Sequence, residues 1–123
     1  MLATSPIVAF VTTTDPSRAK AFYRDVLGLL LISEDEYALV FDAHGTMLRV
    51  SIAGEIVVAP YTVLGWQVED IDATVRGLAA KDVKFERYPW MEQDDAGIWS
   101  APSGAKVAWF KDKDGNLLSV SQH

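Results

Sequence analysis

The chain has 123 residues, half of them apolar, and a net charge of −6 from 17 acidic and 11 basic side chains. That length gives one domain's worth of core. No apolar run reaches the length of a membrane span. The Lys and Arg are scattered, which excludes the concentrated basic surface that nucleic-acid phosphates require. Zero cysteines exclude disulfides, thiolate metal sites and a cysteine nucleophile. Residues 1–14 lack the basic start and cleavage pattern of a signal peptide, so the expected compartment is the cytoplasm.

Residues 7–11 open the chain as a strand, and a capped helix follows. Asp15 offers a carboxylate to the first free amides, and Pro16 suits the first helical position because its missing N–H needs no partner there. Ala19, Phe22, Tyr23, Val26 and Leu27 form one apolar stripe at helical spacing, and Gly28 supplies a left-handed stop. Strand-length apolar runs then occupy 29–32, 37–41 and 47–52, with Asp42-Ala43-His44-Gly45 as a turn. An odd apolar segment, Ile56-Val57-Val58-Ala59-Pro60, reads as an additional strand. After a strand at 62–68, Asp70 caps a second helix that carries Ile71, Val75, Leu78 and Ala79 and ends near Lys81-Asp82. Gly77 weakens it, since glycine costs about 1 kcal/mol against alanine in a helix. Strands are expected at 83–87, 97–101, 106–110 and 117–120, with a long loop at 88–96 and a tight turn at Asp112-Lys113-Asp114-Gly115. The acidic groups Glu34-Asp35-Glu36 and Glu92 with Asp94-Asp95 read as solvated turns.

The order strand, helix, three strands occurs twice. Gly45-Thr46-Met47-Leu48-Arg49-Val50-Ser51 lies over Gly115-Asn116-Leu117-Leu118-Ser119-Val120-Ser121 at an offset of 70, and the caps Asp15 and Asp70 are 55 apart. Chance likeness of two hairpin strands is the plainer alternative, but the shared element order favours a duplication.

Ala21-Phe22-Tyr23-Arg24-Asp25-Val26-Leu27-Gly28-Leu29 resembles the helix-to-strand signature of the vicinal oxygen chelate (VOC) superfamily, which includes glyoxalase I, bleomycin resistance proteins, extradiol dioxygenases and fosfomycin resistance enzymes. Val68-Glu69-Asp70-Ile71-Asp72 is similar to the opening of that family's second module. Asp112-Lys113-Asp114-Gly115-Asn116-Leu117-Leu118 is similar to its last turn and strand, with Lys113 where a proline is usual. The resemblance covers essentially the whole chain. It implies an α+β fold: a single domain of two βαβββ modules, about residues 5–55 and 61–122, whose curled mixed sheets surround a shared cup with helices outside. Strand alternation then places Val8, Phe10, Thr12, Met47, Arg49 and Ser51 on the cup face of the first module. Val63, Gly65, Gln67, Leu117, Ser119 and Ser121 take that face in the second, with Trp99 and Trp109.

Metal-dependent members hold the ion at four cup positions, which fall here on Val8, Arg49, Val63 and Ser119. None is a usual ligand, and an arginine at the centre repels a divalent cation. The only histidines, His44 in a turn and His123 at the terminus, read as surface residues. The expectation is therefore a member with no metal and no cofactor.

The leading functional reading is a metal-free small-molecule binding protein of the bleomycin-resistance type. Its candidate ligand contacts are Val8, Phe10, Arg49, Ser51, Val63, Gln67, Trp90, Trp99, Trp109 and Ser119, with Trp90 as a lid. Apolar walls with sparse polar groups suit a small ligand. Arg49 favours an anionic or carbonyl-bearing one, although the same arginine could instead bridge to an internal carboxylate or face solvent. Each tryptophan has core packing as its plain alternative. A second reading is a lyase, isomerase or dioxygenase of the same superfamily with an atypical or metal-independent site, using Glu34, Glu69 or Glu92 as a base beside Arg49. No catalytic residue is singled out, and whether the chain is an enzyme stays open. A third is a regulatory domain whose cup is filled by its own tryptophans. The expected partners are a small ligand and a second copy in a symmetric homodimer, with no nucleic acid and no membrane.

Overall fold

Two α-helices, the first continued by a π-helical segment, and eight strands make up the computed structural model, which describes residues 1–123. The residues divide into two compact units, Met1–Val57 and Val58–His123.

In the first unit β1 (Val8–Thr13) leads into α1 (Pro16–Lys20), followed by β2 (Leu30–Glu34), β3 (Ala38–Ala43) and β4 (Thr46–Ile52). They form one four-stranded mixed sheet in the order β1-β4-β3-β2, with β1 parallel to β4 and the other neighbours antiparallel. Alternation leaves Val11, Leu48, Val50, Leu39 and Phe41 on one face, all buried. Ala19, Phe22 and Tyr23 are buried on the helix side, and the Tyr23 ring lies 5.9 Å from that of Phe41. Each aliphatic or aromatic side chain so buried stabilises the unit by about 1.5–3 kcal/mol.

The first helix departs from the regular α-helix that its stripe predicts. Asp15 caps it as expected, accepting from Arg18 N–H at 3.1 Å. Beyond Lys20, however, Ala21–Val26 is π-helical, and Leu27 N–H donates to the Phe22 carbonyl. Each such bond encloses one residue more than an α-helical one, which widens the coil. Phe22 and Tyr23 both stay buried, their rings meeting edge to face at 5.3 Å. Gly28, at φ 76°, ends the segment.

The second unit repeats the topology. β5 (Leu64–Gln67), α2 (Ile71–Ala79), β6 (Trp99–Ser100), β7 (Lys106–Lys111) and β8 (Leu117–Gln122) form a sheet in the order β5-β8-β7-β6. Here β5 is parallel to β8, and the rest is antiparallel. Ile71 and Val75 of α2 are buried, as are Ala108, Phe110, Leu118 and Val120 of the sheet. Asp70 caps α2 through Ala73 N–H. The helix stops at Ala79, short of the expected Lys81-Asp82, and Ala79 itself is exposed.

Two expected strands are absent. Residues 83–87 contribute a single bridge, Phe85 to Phe110, with one further bond from Glu86 N–H to the Trp109 carbonyl. Phe85 is held by its ring, 5.6 Å from Phe110, rather than by a ladder. Residues 56–60 pair with no strand. No helix is long and apolar enough to cross a membrane.

Candidate functional site

Each sheet buries one face under its helix and leaves the other open. On the open face of the first unit the pairings set Val8 beside Met47, Phe10 beside Arg49 and Thr12 beside Ser51. Val40 of β3 flanks Arg49 on its far side. Val8, Phe10 and Met47 are exposed, while Arg49 and Ser51 are half-buried. The Arg49 charge is felt by Asp35 in the β2–β3 turn. That carboxyl is held below its usual range chiefly by the N–H groups of Tyr37 and Ala38, with Arg49 as a smaller pull and burial opposing.

On the open face of the second unit Gly65, Ser119 and Trp109 lie in one row, and Gln67, Ser121, Val107 and Trp99 in the next. Val63 N–H donates to the Leu117 carbonyl at the start of β8. Gly65 has a steric reason to be glycine: a Cβ there would lie 2.6 Å from Ser119 Oγ. The repeat places Gly65 where the first unit has Phe10, so Ser119 can lean across a floor that Phe10 would fill.

Aromatic side chains continue this face into the long loop. The Trp99 and Trp109 ring centres are 6.1 Å apart, Tyr88 meets Trp109 edge to face at 5.8 Å, and Trp90 lies 5.1 Å from Tyr88. Trp109 Nε1–H donates to Thr62 Oγ1 at 3.1 Å. Trp90 is 76 % exposed, so its ring is offered to solvent rather than packed in the core. Burial pushes the Tyr88 phenol up, the Glu86 charge adds to this, and Lys111 opposes it. Tyr88 therefore stays protonated through the neutral range.

The loop itself is tightly held. Gln93 Oε1 accepts from Tyr88 N–H at 2.8 Å, and its Nε2 donates to the carbonyls of Glu86 and Gly97 at 2.9 and 3.0 Å. Asp94 Oδ1 accepts from Ala96 and Ile98 N–H. Arg87 donates to the carbonyls of Asp94 and Gln93. Between this loop and β6 lies an open cavity of about 870 Å³, bounded by Tyr88, Met91, Glu92, Ile98, Trp99 and Ser100 among others. A smaller pocket of about 260 Å³ sits on the other side of Tyr88, against Ala59, Pro60, Lys111 and Leu117. The Lys111 ammonium lies 3.4 Å from Glu86 there.

Of the expected contacts, Val8, Phe10, Arg49 and Ser51 thus share the open face of the first unit. Val63, Gln67, Trp99, Trp109 and Ser119 share that of the second, and Trp90 joins the latter through Tyr88. Glu34 is bound to Lys20 at 2.6 Å, and Glu69 is exposed just before the cap of α2. Of the three candidate bases, Glu92 borders the larger cavity. Tyr88, Arg87 and Gln93 were not legible as site residues. The aromatic-Pro-aromatic run Tyr88-Pro89-Trp90 was the available signal for the first.

The residues do not fit the metal of the related enzymes. The four positions that the resemblance assigns to the ion are occupied by Val8, Arg49, Val63 and Ser119, and no group of three His, Cys, Asp or Glu side chains lies close enough to hold one. His44 is exposed in the β3–β4 turn, and the His123 ring contacts Ser121 Oγ at 3.1 Å.

Paired βαβββ sheets of this order, each with an open face, define a recognised class. Residues 6–120 match the model of the Glyoxalase/Bleomycin resistance protein/Dioxygenase superfamily, and the chain belongs to that family. A relative from Bacillus subtilis (strain 168), "Uncharacterized protein YraH", is 34 % identical, with 86 % of this chain and 88 % of the relative covered. The fold is shared with lactoylglutathione lyase from Agrobacterium tumefaciens at a TM-score of 0.75 and 20 % identity, covering 98 % of this chain and 95 % of that one. It is shared equally with the genomically encoded fosfomycin resistance protein FosX from Listeria monocytogenes, at a TM-score of 0.75 and 13 % identity, covering 98 % and 93 %.

Proposed function

We propose that this chain is a metal-free, small-molecule binding member of the superfamily, acting in the cytoplasm by affinity rather than by bond making. The observation that carries this reading is the aromatic row Trp99, Trp109, Tyr88 and Trp90 along the open face of the second unit, beside a cavity of about 870 Å³. The cavity has the roughly 300–1,000 Å³ size usual for small-molecule sites, and its wall is mixed, with Arg87, Glu92, Asp94 and Ser100 beside Tyr88, Met91 and Trp99. Aromatic rings at the wall contribute large contact areas at little conformational cost. Val63, Gln67 and Ser119 are the remaining candidate contacts of that unit, and Val8, Phe10, Arg49 and Ser51 those of the first.

The donor chemistry supports the metal-free part. Two valines, a serine and an arginine offer no set of lone pairs that a divalent ion would choose over water. Elemental analysis of untagged protein, as purified and after incubation with zinc, nickel, manganese and iron(II), tests it. Substoichiometric metal throughout is the expected result, and a tight equivalent would overturn it. A thermal-shift screen of planar aromatic compounds tests the binding part, because a ligand that binds only the folded state must raise the melting temperature. No shift with any compound at high excess would count against it.

The second proposed partner is another copy of this chain. Val8, Phe10, Leu30 and Met47 share the open face of the first unit, where Asp42 separates Leu30 from Met47, and are all exposed, an apolar surface of the kind that protein interfaces cover.

A further inference from the structure

The charged groups around the larger cavity differ in how far the protein has already engaged them, and this difference, taken together with the binding reading above, selects a class of ligand. The one guanidinium in the wall, Arg87, donates to two loop carbonyls, those of Asp94 and Gln93. The Gln93 amide is also fully engaged, accepting from Tyr88 N–H and donating to Glu86 and Gly97. No lysine lines the cavity. The wall thus sets one guanidinium, already tied to the loop backbone, against the two carboxylates of Glu92 and Asp94, so its net charge disfavours an anion. The carboxylates are in the opposite condition. Glu92 is exposed at the rim, and Asp94 receives its two amide bonds on Oδ1, leaving Oδ2 open. Tyr88, Trp99 and Met91 line the same cavity. Aromatic faces attract cations through their negative quadrupole, and a thioether packs well against a flat ring.

We infer that the cavity between the 88–98 loop and β6 binds a small organic cation with a flat apolar body, its charge set against Glu92 and Asp94 and its body against Trp99 and Tyr88. This reverses the ligand charge that Arg49 alone favours, because Arg49 belongs to the open face of the first unit and does not line this cavity.

Three probes of nearly one shape separate charge from shape: N-methylquinolinium as cation, quinoline as neutral body and naphthoate as anion. Each is titrated into the isotope-labelled full chain at neutral pH, with backbone amides of residues 88–100 and the Trp99 indole N–H followed by NMR. The inference expects the cation to bind more tightly than quinoline, naphthoate to bind most weakly, and the perturbed signals to cluster in that segment. Glu92→Gln, at an exposed position that leaves the fold intact, should weaken the cation by about threefold to fivefold and leave quinoline unchanged, the range of an exposed charge contact. Glu92→Lys should invert the order of cation and anion. Equal affinity for cation and quinoline, or tightest binding of naphthoate, overturns the inference while the binding reading stands. Perturbation of no signal in that segment by any probe overturns both for this cavity.

Discussion

Asp112 shows how much a single side chain can hold. Its carboxylate accepts from Asp114 N–H, Asn116 N–H and Asn116 Nδ2, at 3.0, 2.9 and 2.8 Å, and both residues are buried. Removing the acceptor leaves buried donors without partners, which costs more than the bonds themselves contribute. Asp112→Ala should therefore destabilise the protein by about 2–3 kcal/mol, read as a lower denaturation midpoint at unchanged slope. A change below about 0.5 kcal/mol, the size of an ordinary surface substitution, would contradict this account. Asp35 plays a similar part at the surface, where Tyr37 and Ala38 N–H bind its ionised form at 2.8 and 3.0 Å. Its carboxyl is harder to protonate folded than unfolded. The stability this gives is present above the unfolded pKa of about 3.9 and is lost as pH falls through the lower folded value. Asp35→Asn should accordingly flatten the acid limb of stability below about pH 4, with a constant difference from wild type at neutral pH. Parallel curves down to about pH 2 would show that the turn does not discriminate between the two protonation states. At this scale the sequence was readable where a residue type has one evident use: the caps Asp15 and Asp70, the turn acid Asp112 and the stop Gly28. It was not readable for Gln93, because an amide bonded to three backbone groups of one loop leaves no periodic mark.

Elements follow from pattern when the pattern has only one solution. Both sheets were legible, since alternating apolar residues from β1 to β8 bury one face and leave the other, and every pairing keeps Arg49 and Ser119 on the open side. The π-helical turn was not, because a stripe built from Ala19, Phe22, Tyr23 and Val26 serves a wide coil and a regular one alike. The difference lies in backbone bonding, as in the bond from Leu27 N–H to the Phe22 carbonyl. Residues 83–87 failed as a strand for a related reason. Their alternation exists to place Phe85 on Phe110, and the backbone beyond is captured by the Gln93 side chain instead of a neighbouring strand. α2 carries an element-scale weakness that can be tested. Gly77 sits inside it at an ordinary helical φ, and a Cβ there would meet nothing within 4 Å. Gly77→Ala should stabilise the protein by about 0.5–1 kcal/mol, through helix propensity and a less flexible unfolded chain. Thermal unfolding measures it directly. An unchanged or lowered melting temperature would mean that the exposed side of α2 is engaged by something that the single chain does not contain.

For the whole molecule the informative surface is the open face of the first unit. Val8 is 40 % exposed, Phe10 58 %, Leu30 64 % and Met47 45 %. Each alone would be unremarked, since folded proteins expose many apolar atoms. Val8, Phe10 and Met47 are neighbours on the adjacent strands β1 and β4, with Leu30 beyond Asp42 of β3, and exposed apolar patches of that kind mark surfaces that another body covers. A net charge of −6 spread over the chain does not by itself oppose self-association here, because the patch carries one charge of each sign, Arg49 and Asp42. The proposed cover is a second copy, related by the two-fold symmetry that most homo-oligomers adopt. Light scattering at tens of micromolar should then give twice the chain mass of 13.5 kDa. Phe10→Glu puts a carboxylate in the middle of the row without touching the buried side of β1, so it should yield a folded chain of single mass, checked by circular dichroism. Mass action adds an independent signature: wild type should melt at lower temperature on dilution, and the variant at a temperature independent of concentration. A wild-type protein of single mass would remove the second copy from the account. The apolar surface would then be an open ligand surface in its own right, with Arg49 and Asp42 as its charges.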